Sequence, residues 1–437
     1  MIYKTNMLNE KINIALVGFG NIGSYFYKTI LKNKRSILNK TGKIPVIKYV
    51  SAKNISKKRN VKIPKDKWIK NFSKIVVNKD VDIVIELIGG AEGPAKKLVF
   101  SALKNKKHVI TANKALMSKY GDELASIAEK NNVNLEYEAS VAGGIPIIRS
   151  IKEGLIANKI NKIYGILNGT TNYILSYMEK KNRDFSDILQ KAKELGFAET
   201  NPISDLNGND SASKLRILSS LAFNKAISKN KILTEGIQNI NLTDIFYAKS
   251  LGYKIKLLSI SEIRKNKLME RVHPCLIEKN SYIAKIDGVL NAVVVDGLPI
   301  GKSVLQGEGA GPGPTTSALI SDLCSVLKGE VNFPFGVSTN LRKKIAKFNI
   351  LNHSCSSYLR IEVKDQPGVL SSITKNFAKN KISIKNLIQK PDKKNKKASI
   401  IIITHENYEK NFNNLISSLI KNKFIIKKPT FIRIETV

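Results

Sequence analysis

An acid and an amine stand four residues apart in one predicted helix. They are Asp210 and Lys214, in the stretch 210–221 whose apolar spacing predicts a helix. Side chains at i and i+4 share a helix face, so the carboxylate and the ammonium should lie side by side. Such a pair can bind an amino-acid substrate or relay a proton. The alternative, which these two residues alone favour, is a solvent-exposed pair that contributes about 0.3–0.5 kcal/mol.

A glycine-rich loop follows the first predicted strand, residues 12–18. It fits the pattern G-x-G-x-x-G with Gly18, Phe19, Gly20, Asn21, Ile22 and Gly23. The first glycine of this pattern permits a tight turn, the second lets the backbone approach a pyrophosphate, and the third lets helix and strand pack closely. The N-terminus of the following helix supplies N–H groups and a partial positive charge for phosphates. The loop therefore predicts a dinucleotide site, with an ordinary glycine-rich turn as the alternative.

The end of the second predicted strand, residues 44–51, bears on the choice of dinucleotide. NAD-binding folds usually place Asp or Glu there to hold the ribose 2′-hydroxyl, whereas this strand runs into Lys53 without an acidic residue. Lys57, Lys58 and Arg59 follow closely and would attract a 2′-phosphate. The sequence therefore predicts NADP(H), with NAD(H) still possible, and solvated surface is the alternative interpretation of these cations.

A second lysine, Lys114, comes directly after the predicted strand 108–111. Parallel α/β sheets bind their ligands at the carboxyl ends of the strands, so Lys114 is expected at such a site. Two lysines near a nicotinamide suit the oxidation of an alcohol, because one can orient the hydroxyl and take its proton as the hydride leaves. Lys114 joins Lys214 and Asp210 as a candidate catalytic residue.

The elements that must position these residues fall into three regions. Strands at 12–18, 44–51, 82–88, 108–111 and 134–138 alternate with helices at 24–31, 95–104 and 120–131, which predicts a Rossmann-type α/β domain over residues 1–137. A mixed α+β domain is expected over 138–313, with helices at 145–153, 173–180, 185–195 and 210–221, and strands at 160–167, 268–273, 283–285 and 291–296. The helix starting at 315, within 314–340, is expected to return to the first domain.

The third region, residues 356–437, follows a polar linker at 342–356. Its predicted order is strand 358–364, helix 369–379, strand 382–389, strand 399–404, helix 408–421 and strand 424–434. This βαββαβ order is that of a ferredoxin-like domain.

Composition limits the class of protein. A hydrophobic fraction of 42% is ordinary for a globular chain. The sequence has no uncharged apolar run of about eighteen residues, so no membrane span is predicted. Residues 1–11 are short and polar, which predicts no signal peptide, and Met7 is a second candidate start. The three cysteines are scattered without a disulfide or zinc spacing, so a cytoplasmic location is predicted.

The formal net charge of +38 raises the possibility of a nucleic-acid partner. However, the lysines are spread over the whole chain, and no basic block is interleaved with aromatic residues. We therefore predict no nucleic-acid partner and no membrane partner. A basic surface can still attract anionic substrates and coenzymes.

Six segments follow one another along the chain: VIELIGG (84–90), TANKAL (111–116), YEASVAGGIPII (137–148), LNGTTNYIL (167–175), GFAETNPISDLNGNDSASKL (196–215) and GEGAGPGPTTSA (307–318). Together and in this order, these segments resemble homoserine dehydrogenase. The tail, with DQPGVL at 365–370, resembles an ACT domain, a module that commonly binds amino acids. Alternatives are another oxidoreductase acting on a related amino-acid aldehyde, or a sensor of NADP and an amino acid without catalysis.

The resemblance implies an activity and its setting. The reaction would be the reversible NADPH-dependent reduction of L-aspartate 4-semialdehyde to L-homoserine, in threonine, methionine and isoleucine biosynthesis. Residues 138–313 would bind the substrate and form a homodimer or homotetramer, and the ACT domain would take threonine as an effector.

The resemblance also implies roles for individual residues. Lys214 would donate or accept the proton, Glu199 would bind the substrate, and Asp210 would assist. Lys114 would lie between coenzyme and substrate, and Thr170 would line the same pocket, with a turn residue as the alternative for Thr170.

Further coenzyme contacts and two departures follow from the same resemblance. Thr111 and Gly309 are coenzyme-binding candidates, and Gly309 would pass near the nicotinamide. Phe197 stands where a tyrosine is frequent and Asn201 where an aspartate is common, so the substrate network differs locally.

The turn after residue 137 would be interpreted from its residues alone as a glycine-rich hinge. The resemblance implies instead a structural sodium or potassium ion, held largely by backbone carbonyls at Glu138, Val141, Gly143 and Ile145. Oxygen ligands suit such a hard cation.

Overall fold

The computed structural model describes residues 10–392 and 396–437, so the candidate starts Met1 and Met7 lie outside the described residues. The chain divides into two compact units. The first unit comprises Met1–Leu167, Ser211–Lys231 and Asn291–Ile345, and the second comprises Asn168–Asp210, Ile232–Leu290 and Ala346–Val437. The division at Asp210 falls inside one helix, so the predicted catalytic pair straddles it.

Strands and helices alternate in the N-terminal region, as predicted. The elements are β1 (Glu10–Val17), α1 (Asn21–Thr41), β2 (Lys43–Ser51), α2 (Ser73–Val76), β3 (Ile83–Glu86), α3 (Pro94–Lys104), β4 (His108–Thr111), α4 (Lys114–Lys130) and β5 (Leu135–Glu136). Helix α1 is longer than the predicted 24–31 at both ends, and it stops only where Gly42 adopts a left-handed conformation.

The first five strands form one parallel sheet in the order β2-β1-β3-β4-β5. Its central strands carry continuous apolar runs that are buried on both faces, as parallel sheets require. The predicted Rossmann-type α/β fold is therefore confirmed.

The middle of the chain mixes helices with longer strands. The elements are α5 (Ile147–Arg149), β6 (Lys159–Ile166), α6 (Gly169–Lys181), α7 (Phe185–Glu194), α8 (Ile203–Leu206), α9 (Asn209–Ala222), β7 (Leu233–Thr234), α10 (Leu242–Ser250), β8 (Tyr253–Arg264), β9 (Lys267–Glu278), β10 (Leu290–Leu298), β11 (Gly301–Glu308) and α11 (Pro312–Leu327). Helix α11 packs with α1 in the core of the first unit. Strands β11, β10 and β6 are neighbours in that unit, and β10 pairs antiparallel with β6.

Two predictions in this region need correction. The predicted strand 283–285 is wrong, because Ile283–Lys285 forms a 3-10 turn. Such a short apolar run does not distinguish a strand from a buried turn. The twelve-residue strand β8 was not predicted, because both of its faces are buried and include polar residues such as Lys256, which removes the alternation.

The C-terminal region has the predicted ferredoxin-like order. Its elements are β12 (Ser354–Lys364), α12 (Val369–Lys379), β13 (Ile384–Asp392), β14 (Lys397–Thr404), β15 (Asn407–Tyr408), α13 (Glu409–Ile420) and β16 (Thr430–Ile434). The sheet of the second unit runs β8-β9-β16-β12-β14-β13, so β16 joins the C-terminal region to the β8–β9 hairpin. The predicted linker is shorter than expected, because β12 already begins at Ser354. The predicted strand 424–434 is also shorter, because β16 begins only at Thr430.

Among the helices within residues 10–392 and 396–437, none has the length and apolarity needed to cross a membrane.

Candidate active site

Two glycines of the nucleotide loop are required by the backbone. Gly18 has φ of 103° and its N–H donates to the carbonyl of Ser51 at 2.9 Å. A Cβ atom on Gly18 would lie 2.4 Å from the carbonyl carbon of Leu87, and one on Gly23 would lie 2.6 Å from the carbonyl oxygen of Gly18. Gly18 therefore closes the turn, and Gly23 lets α1 pack against β1.

Gly20 differs from these two because a Cβ there would meet no protein atom within 4 Å. It precedes α1, whose N-terminus has no side-chain cap. The N–H groups of the first helical turn therefore stand beside an open space, which suits a phosphate. A cavity of about 320 Å³ lies there, lined in part by Phe19, Gly20 and Asn21.

The predicted cations do not share one role in this cavity. Lys57, Lys58 and Arg59 line it, whereas the exposed Lys53 does not. The guanidinium of Arg59 donates to the carbonyls of Phe19, Asn54, Ile55 and Lys57 at 2.5–2.9 Å. Arg59 therefore holds the loop in place, while the two exposed lysines line the cavity.

Glu86 is a buried carboxylate that connects the loops after β3 and β4, and it was not among the predicted site residues. Glu86, at the end of β3, accepts hydrogen bonds from the N–H groups of Ile88 and Gly89 at 2.7 and 2.9 Å. Its other oxygen accepts from the Thr111 hydroxyl at 2.5 Å. The signal was the acid inside the apolar run VIELIGG, which needs partners when buried.

Lys114 is positioned through the same network. The Asn113 side chain caps α4 by accepting from the N–H of Leu116 at 3.0 Å, and it donates to the carbonyl of Gly90 at 2.7 Å. The N–H of Asn113 donates to the Thr111 hydroxyl at 3.0 Å. Lys114 is the first residue of α4 and is partly buried at the carboxyl edge of the sheet.

The turn predicted to hold a cation packs against the loop that carries Gly309. Ala142 and Gly143 have positive φ angles of 56° and 44°. A Cβ on Gly143 would lie 2.5 Å from the carbonyl oxygen of Gly309, and the N–H of Gly144 donates to the carbonyl of Glu308 at 3.0 Å. The two loops therefore fit together only through their glycines.

Both carboxylate oxygens of Glu138 are engaged by backbone N–H groups. They accept from the N–H groups of Ile148 and Arg149 at 2.9 and 2.8 Å. Burial raises the pKa of Glu138 to about 7, although these N–H groups oppose the shift. A cation at this turn would therefore contact Glu138 through its backbone carbonyl; Val141 and Ile145 are buried there.

In the second unit, one amide brings two acids together. The side-chain N–H₂ of Asn168 donates to Asp205 at 2.8 Å and to Asp210 at 2.9 Å, while its oxygen accepts from the N–H of Thr171 and caps α6. Two carboxylates that converge on one amide favour a positively charged group such as an ammonium. Asn168 and Asp205 were not singled out from the sequence, although Asn before Gly-Thr-Thr is a helix-capping signal.

The other two substrate candidates in that unit have different environments. The hydroxyl of Thr170 donates to the carbonyl of Phe197 at 2.6 Å, so it fixes the segment that precedes Glu199. Glu199 itself is exposed. The Phe197 ring lies 5.1 Å from that of Tyr173, so a hydroxyl is replaced there by an aromatic contact, and the departure at Asn201 is exposed.

Lys214 is buried rather than solvated. Only 8% of this residue is exposed, and its ammonium donates to the carbonyl of Leu167 at 2.8 Å. Asp210, one turn earlier on α9, is 5% exposed. The alternative of a solvent-exposed helix pair is therefore wrong.

Comparison with known proteins gives consistent matches along the chain. Residues 18–138 match the NAD-binding domain of homoserine dehydrogenase, residues 146–324 match homoserine dehydrogenase, and residues 357–422 match the ACT domain. The homoserine dehydrogenase of Neisseria gonorrhoeae is 37% identical over 436 residues, which cover 98% of this chain and 99% of that protein. The Bacillus subtilis enzyme is 38% identical over 94% of this chain and 95% of its own length.

The chain belongs to the homoserine dehydrogenase family. A crystal structure of a homoserine dehydrogenase from Thiobacillus denitrificans aligns with a TM-score of 0.90 and 36% identity, over 98% of this chain and 99% of that one. Family membership makes the chain an oxidoreductase with a NAD-binding domain and a C-terminal ACT domain. In this homoserine dehydrogenase, the glycine loop and Lys214 belong to the first unit, and the Asn168 cluster belongs to the second.

Proposed function

We propose that this homoserine dehydrogenase catalyses the reversible NADPH-dependent reduction of L-aspartate 4-semialdehyde to L-homoserine, with Lys214 as proton donor and acceptor. The observation that carries the proposal is the burial of Lys214 and Asp210 on α9. A buried ammonium is costly unless it has partners, and Lys214, which is 8% exposed, is shielded from bulk water as a proton-transferring group should be.

The residues of the chain divide the work as follows. The coenzyme, when bound, supplies the hydride for the aldehyde carbon. Lys214 gives a proton to the aldehyde oxygen and takes it back in the reverse direction. Asp205 and Asp210, joined by Asn168, bind the substrate ammonium together with Glu199. Lys114, fixed at the start of α4, orients the reacting groups.

Replacing Lys214 by methionine tests the proton assignment. We expect kcat to fall by about 10²–10⁴-fold, because general acid–base catalysis contributes that much. The coenzyme dissociation constant should stay within about twofold. The matched control is Lys181→Met, at the exposed end of α6, which should retain turnover. Normal kcat in Lys214→Met would reject the proton role, and a wild-type protein that does not oxidise NADPH with the semialdehyde would reject the reaction.

The coenzyme preference is proposed to come from Lys57 and Lys58. Both line the cavity beside the glycine loop, whereas Arg59 is committed to backbone carbonyls. In the double variant Lys57→Ala/Lys58→Ala, the ratio of kcat/KM for NADPH over NADH should fall at least tenfold. Lys62→Ala, exposed and outside the cavity lining, is the control. An unchanged ratio would assign the preference elsewhere, including to Lys53.

A sodium or potassium ion is proposed at the turn 138–145, held by backbone carbonyls of Glu138, Val141, Gly143 and Ile145. The left-handed residues Ala142 and Gly143 give this turn a tight curvature that suits convergent carbonyls. The ion would stabilise the turn that packs on the Gly309 loop. Thermal unfolding in potassium or sodium chloride should occur at a higher temperature than in choline chloride of equal ionic strength, and equal midpoints would remove the ion from the proposal.

The proposed setting is the cytoplasmic synthesis of threonine, methionine and isoleucine. The same proposal includes the domain bounds 1–137, 138–313 and 356–437. It also includes a homodimer or homotetramer, and threonine as an effector. Light scattering gives the oligomer directly, and growth of a homoserine auxotroph that carries this chain tests the pathway.

A further inference from the structure

Four cationic side chains line one cavity of the second unit. They are Arg264, Lys265, Lys267 and Lys410, and the cavity has a volume of about 650 Å³. We call it the hairpin cavity, because the turn between β8 and β9 forms one side of it. It contains none of the residues proposed for catalysis or for coenzyme binding.

The lining of the hairpin cavity is richer in positive charge than the chain as a whole. Lysine and arginine supply 73 of the 437 residues, which is roughly one in six. They supply four of the eight residues that line this cavity, and the lining that the structure describes contains no acidic residue. The even spread of lysines along the sequence therefore does not account for this cluster.

The turn of the hairpin brings like charges opposite one another. Lys265 and Asn266 have φ angles of 49° and 57°, so they form the two-residue turn that tightly joins antiparallel strands. Arg264 and Lys267 are paired across this turn, so their side chains leave the same face of the hairpin. Like charges in directly opposite positions destabilise a sheet. An anion bound between them would remove this repulsion.

Arg264 is held by the protein and is still accessible. Its Nε donates to Glu262 at 2.8 Å, and its Nη1 lies 3.4 Å from Nδ1 of His353. Glu262 does not line the cavity, and it also pairs with the fully buried Arg271. Because 41% of the Arg264 side chain is exposed and a guanidinium has five N–H donors, donors remain for a ligand.

The three lysines are available to a ligand as well. Lys265, Lys267 and Lys410 are exposed, and none of them forms an ion pair with any of residues 10–392 and 396–437. The ammonium of Lys410 lies 5.8 Å from the centroid of the Tyr408 ring, and this ring is 51% exposed. The cavity therefore offers an aromatic surface beside its cations.

Backbone hydrogen bonds fix the other side of the cavity against the hairpin. The N–H of Leu268 donates to the carbonyl of Ala346, and the N–H of Phe348 donates to the carbonyl of Leu268, both at 2.8 Å. The N–H of Glu409 donates to the carbonyl of His353 at 2.8 Å, which fixes the start of α13. The site is thus formed before a ligand arrives, which lowers the cost of binding.

We propose that the hairpin cavity binds a phosphate-chain anion, either a free oligophosphate or the chain of a nucleoside triphosphate. One phosphate group carries a charge of about −1.5 to −2, so four cations suit a chain of phosphates better than a single one. The guanidinium of Arg264 suits phosphate oxygens, which it can bind through two N–H groups. A nucleotide base would stack on Tyr408. This inference does not rest on the proposed function.

Calorimetric titration of the full-length protein with tripolyphosphate tests the site. In potassium chloride at about 0.15 M the Debye length is about 8 Å, so dispersed lysines attract the anion little, whereas clustered ones still bind it. We expect one site per chain. Both Lys265→Asn/Lys267→Gln and Lys410→Gln should bind tripolyphosphate at least tenfold more weakly.

These variants should remain folded and active. Asparagine is favoured at the left-handed position 265, and the loss of Lys267 removes a like-charge pair. The urea midpoint of Lys265→Asn/Lys267→Gln should therefore equal or exceed that of the wild type, with unchanged turnover. Lys410→Gln leaves the hairpin intact, so it tests the site independently of the turn.

Two control variants separate this site from other positive surfaces. Lys375→Gln/Lys379→Gln removes two charges from exposed positions of α12 outside the cavity lining. Lys57→Ala/Lys58→Ala removes two charges at the glycine loop, where phosphate is also expected to bind. Both should bind tripolyphosphate in the hairpin cavity as the wild type does.

ATP distinguishes the two sources of the phosphate chain. Tighter binding of ATP than of tripolyphosphate, with the advantage lost in Tyr408→Ala, would identify a nucleotide. Equal binding of the two, unaffected by Tyr408→Ala, would identify a free oligophosphate.

Absence of binding by both tripolyphosphate and ATP would overturn the site. So would equal weakening by Lys375→Gln/Lys379→Gln, because this would indicate a general attraction to a basic surface. Binding that is lost only in Lys57→Ala/Lys58→Ala would place the anion at the glycine loop instead.

Two further ligands test the chemical class. Citrate that binds as tightly as tripolyphosphate would replace the phosphate chain by a polycarboxylate. A single-stranded oligonucleotide that binds more tightly than ATP would replace the small anion by a nucleic acid. Either result would overturn the proposal, whereas loss of turnover in the wild type concerns the proposed function alone.

Discussion

The sheets of the two compact units are packed in different ways. In the first unit, the parallel sheet is packed by fully buried apolar residues such as Ile14, Leu16 and Ile85. The second unit has an apolar core under α12 and α13 and, in addition, buried charged side chains on β9, β16 and β12. Arg271 is completely buried between Glu262 and Glu435, and Arg433 donates to Glu409.

This difference shows that the two sheets are specified in different ways. An apolar side chain stabilises the fold by about 1.5–3 kcal/mol wherever it is buried, and many partners serve equally well. A buried ion is tolerated only with a partner of opposite charge in the right geometry. The pair Arg271–Glu435 joins residues 164 positions apart, so it specifies that β16 lies beside β9 and connects the ACT region to the rest of its unit.

The largest expected effect is on the buried ion pairs. Arg271→Met leaves Glu435 buried without its arginine and Glu262 with Arg264 alone, which should lower the free energy of unfolding by about 3–5 kcal/mol. The comparison in the first unit is Lys48→Met, which breaks a largely exposed pair with Asp80 and should leave the free energy of unfolding close to that of the wild type. Urea unfolding measures both, and equal shifts would contradict the importance of the buried ion pairs for the sheet of the second unit.

The same network predicts a loss of stability in acid. Burial, and then the charge of Arg271, lower the pKa of His353 to about 4. The unfolded chain takes up this proton near pH 6.5, whereas the folded chain does not, so the contribution is fully present above pH 6.5 and is lost as the pH falls towards 4. The loss amounts to about 3 kcal/mol at most.

His353→Gln should flatten the dependence of the urea midpoint on pH between 6.5 and 4. The exposed His405 provides the control, since His405→Gln should leave the slope as it is in the wild type. A slope that is unchanged in His353→Gln would assign the acid sensitivity to other groups of the network.

The smallest effect is expected at the glycine loop, where binding changes and stability does not. Gly20→Ala adds a Cβ that meets no protein atom but occupies the space proposed for a phosphate. The coenzyme should bind at least tenfold more weakly, a change of about 1.4 kcal/mol, with an unaltered unfolding midpoint. Gly154→Ala, equally free of neighbours but outside the loop, should change neither quantity. Normal coenzyme affinity in Gly20→Ala would contradict the assignment of this space.

Local signals predicted the first and the last regions well. The strand β4 and the helix α12 have the predicted bounds, and the glycine loop lies where a strand meets a helix. The prediction missed β8, whose polar residues are buried by neighbouring strands, and interpreted the turn at Ile283 as a strand. The domain bounds and the roles of Glu199, Thr170, Asp210 and Lys214 stay predictions, and Lys214→Met tests the last of these roles.

The sequence by itself determined the order of strands and helices, the nucleotide loop and the family of dehydrogenases to which the chain belongs. These features depend on neighbouring residues, since the period of apolar positions and the conformational freedom of glycine act over a few bonds. Only the tertiary structure decided that Arg59 holds the loop, that Glu86 joins two loops, and that Asn168 brings Asp205 to Asp210. The physical reason is that a polar group is stabilised by the partner it meets in space. That partner can be far away in the sequence, so it is defined only in the folded chain.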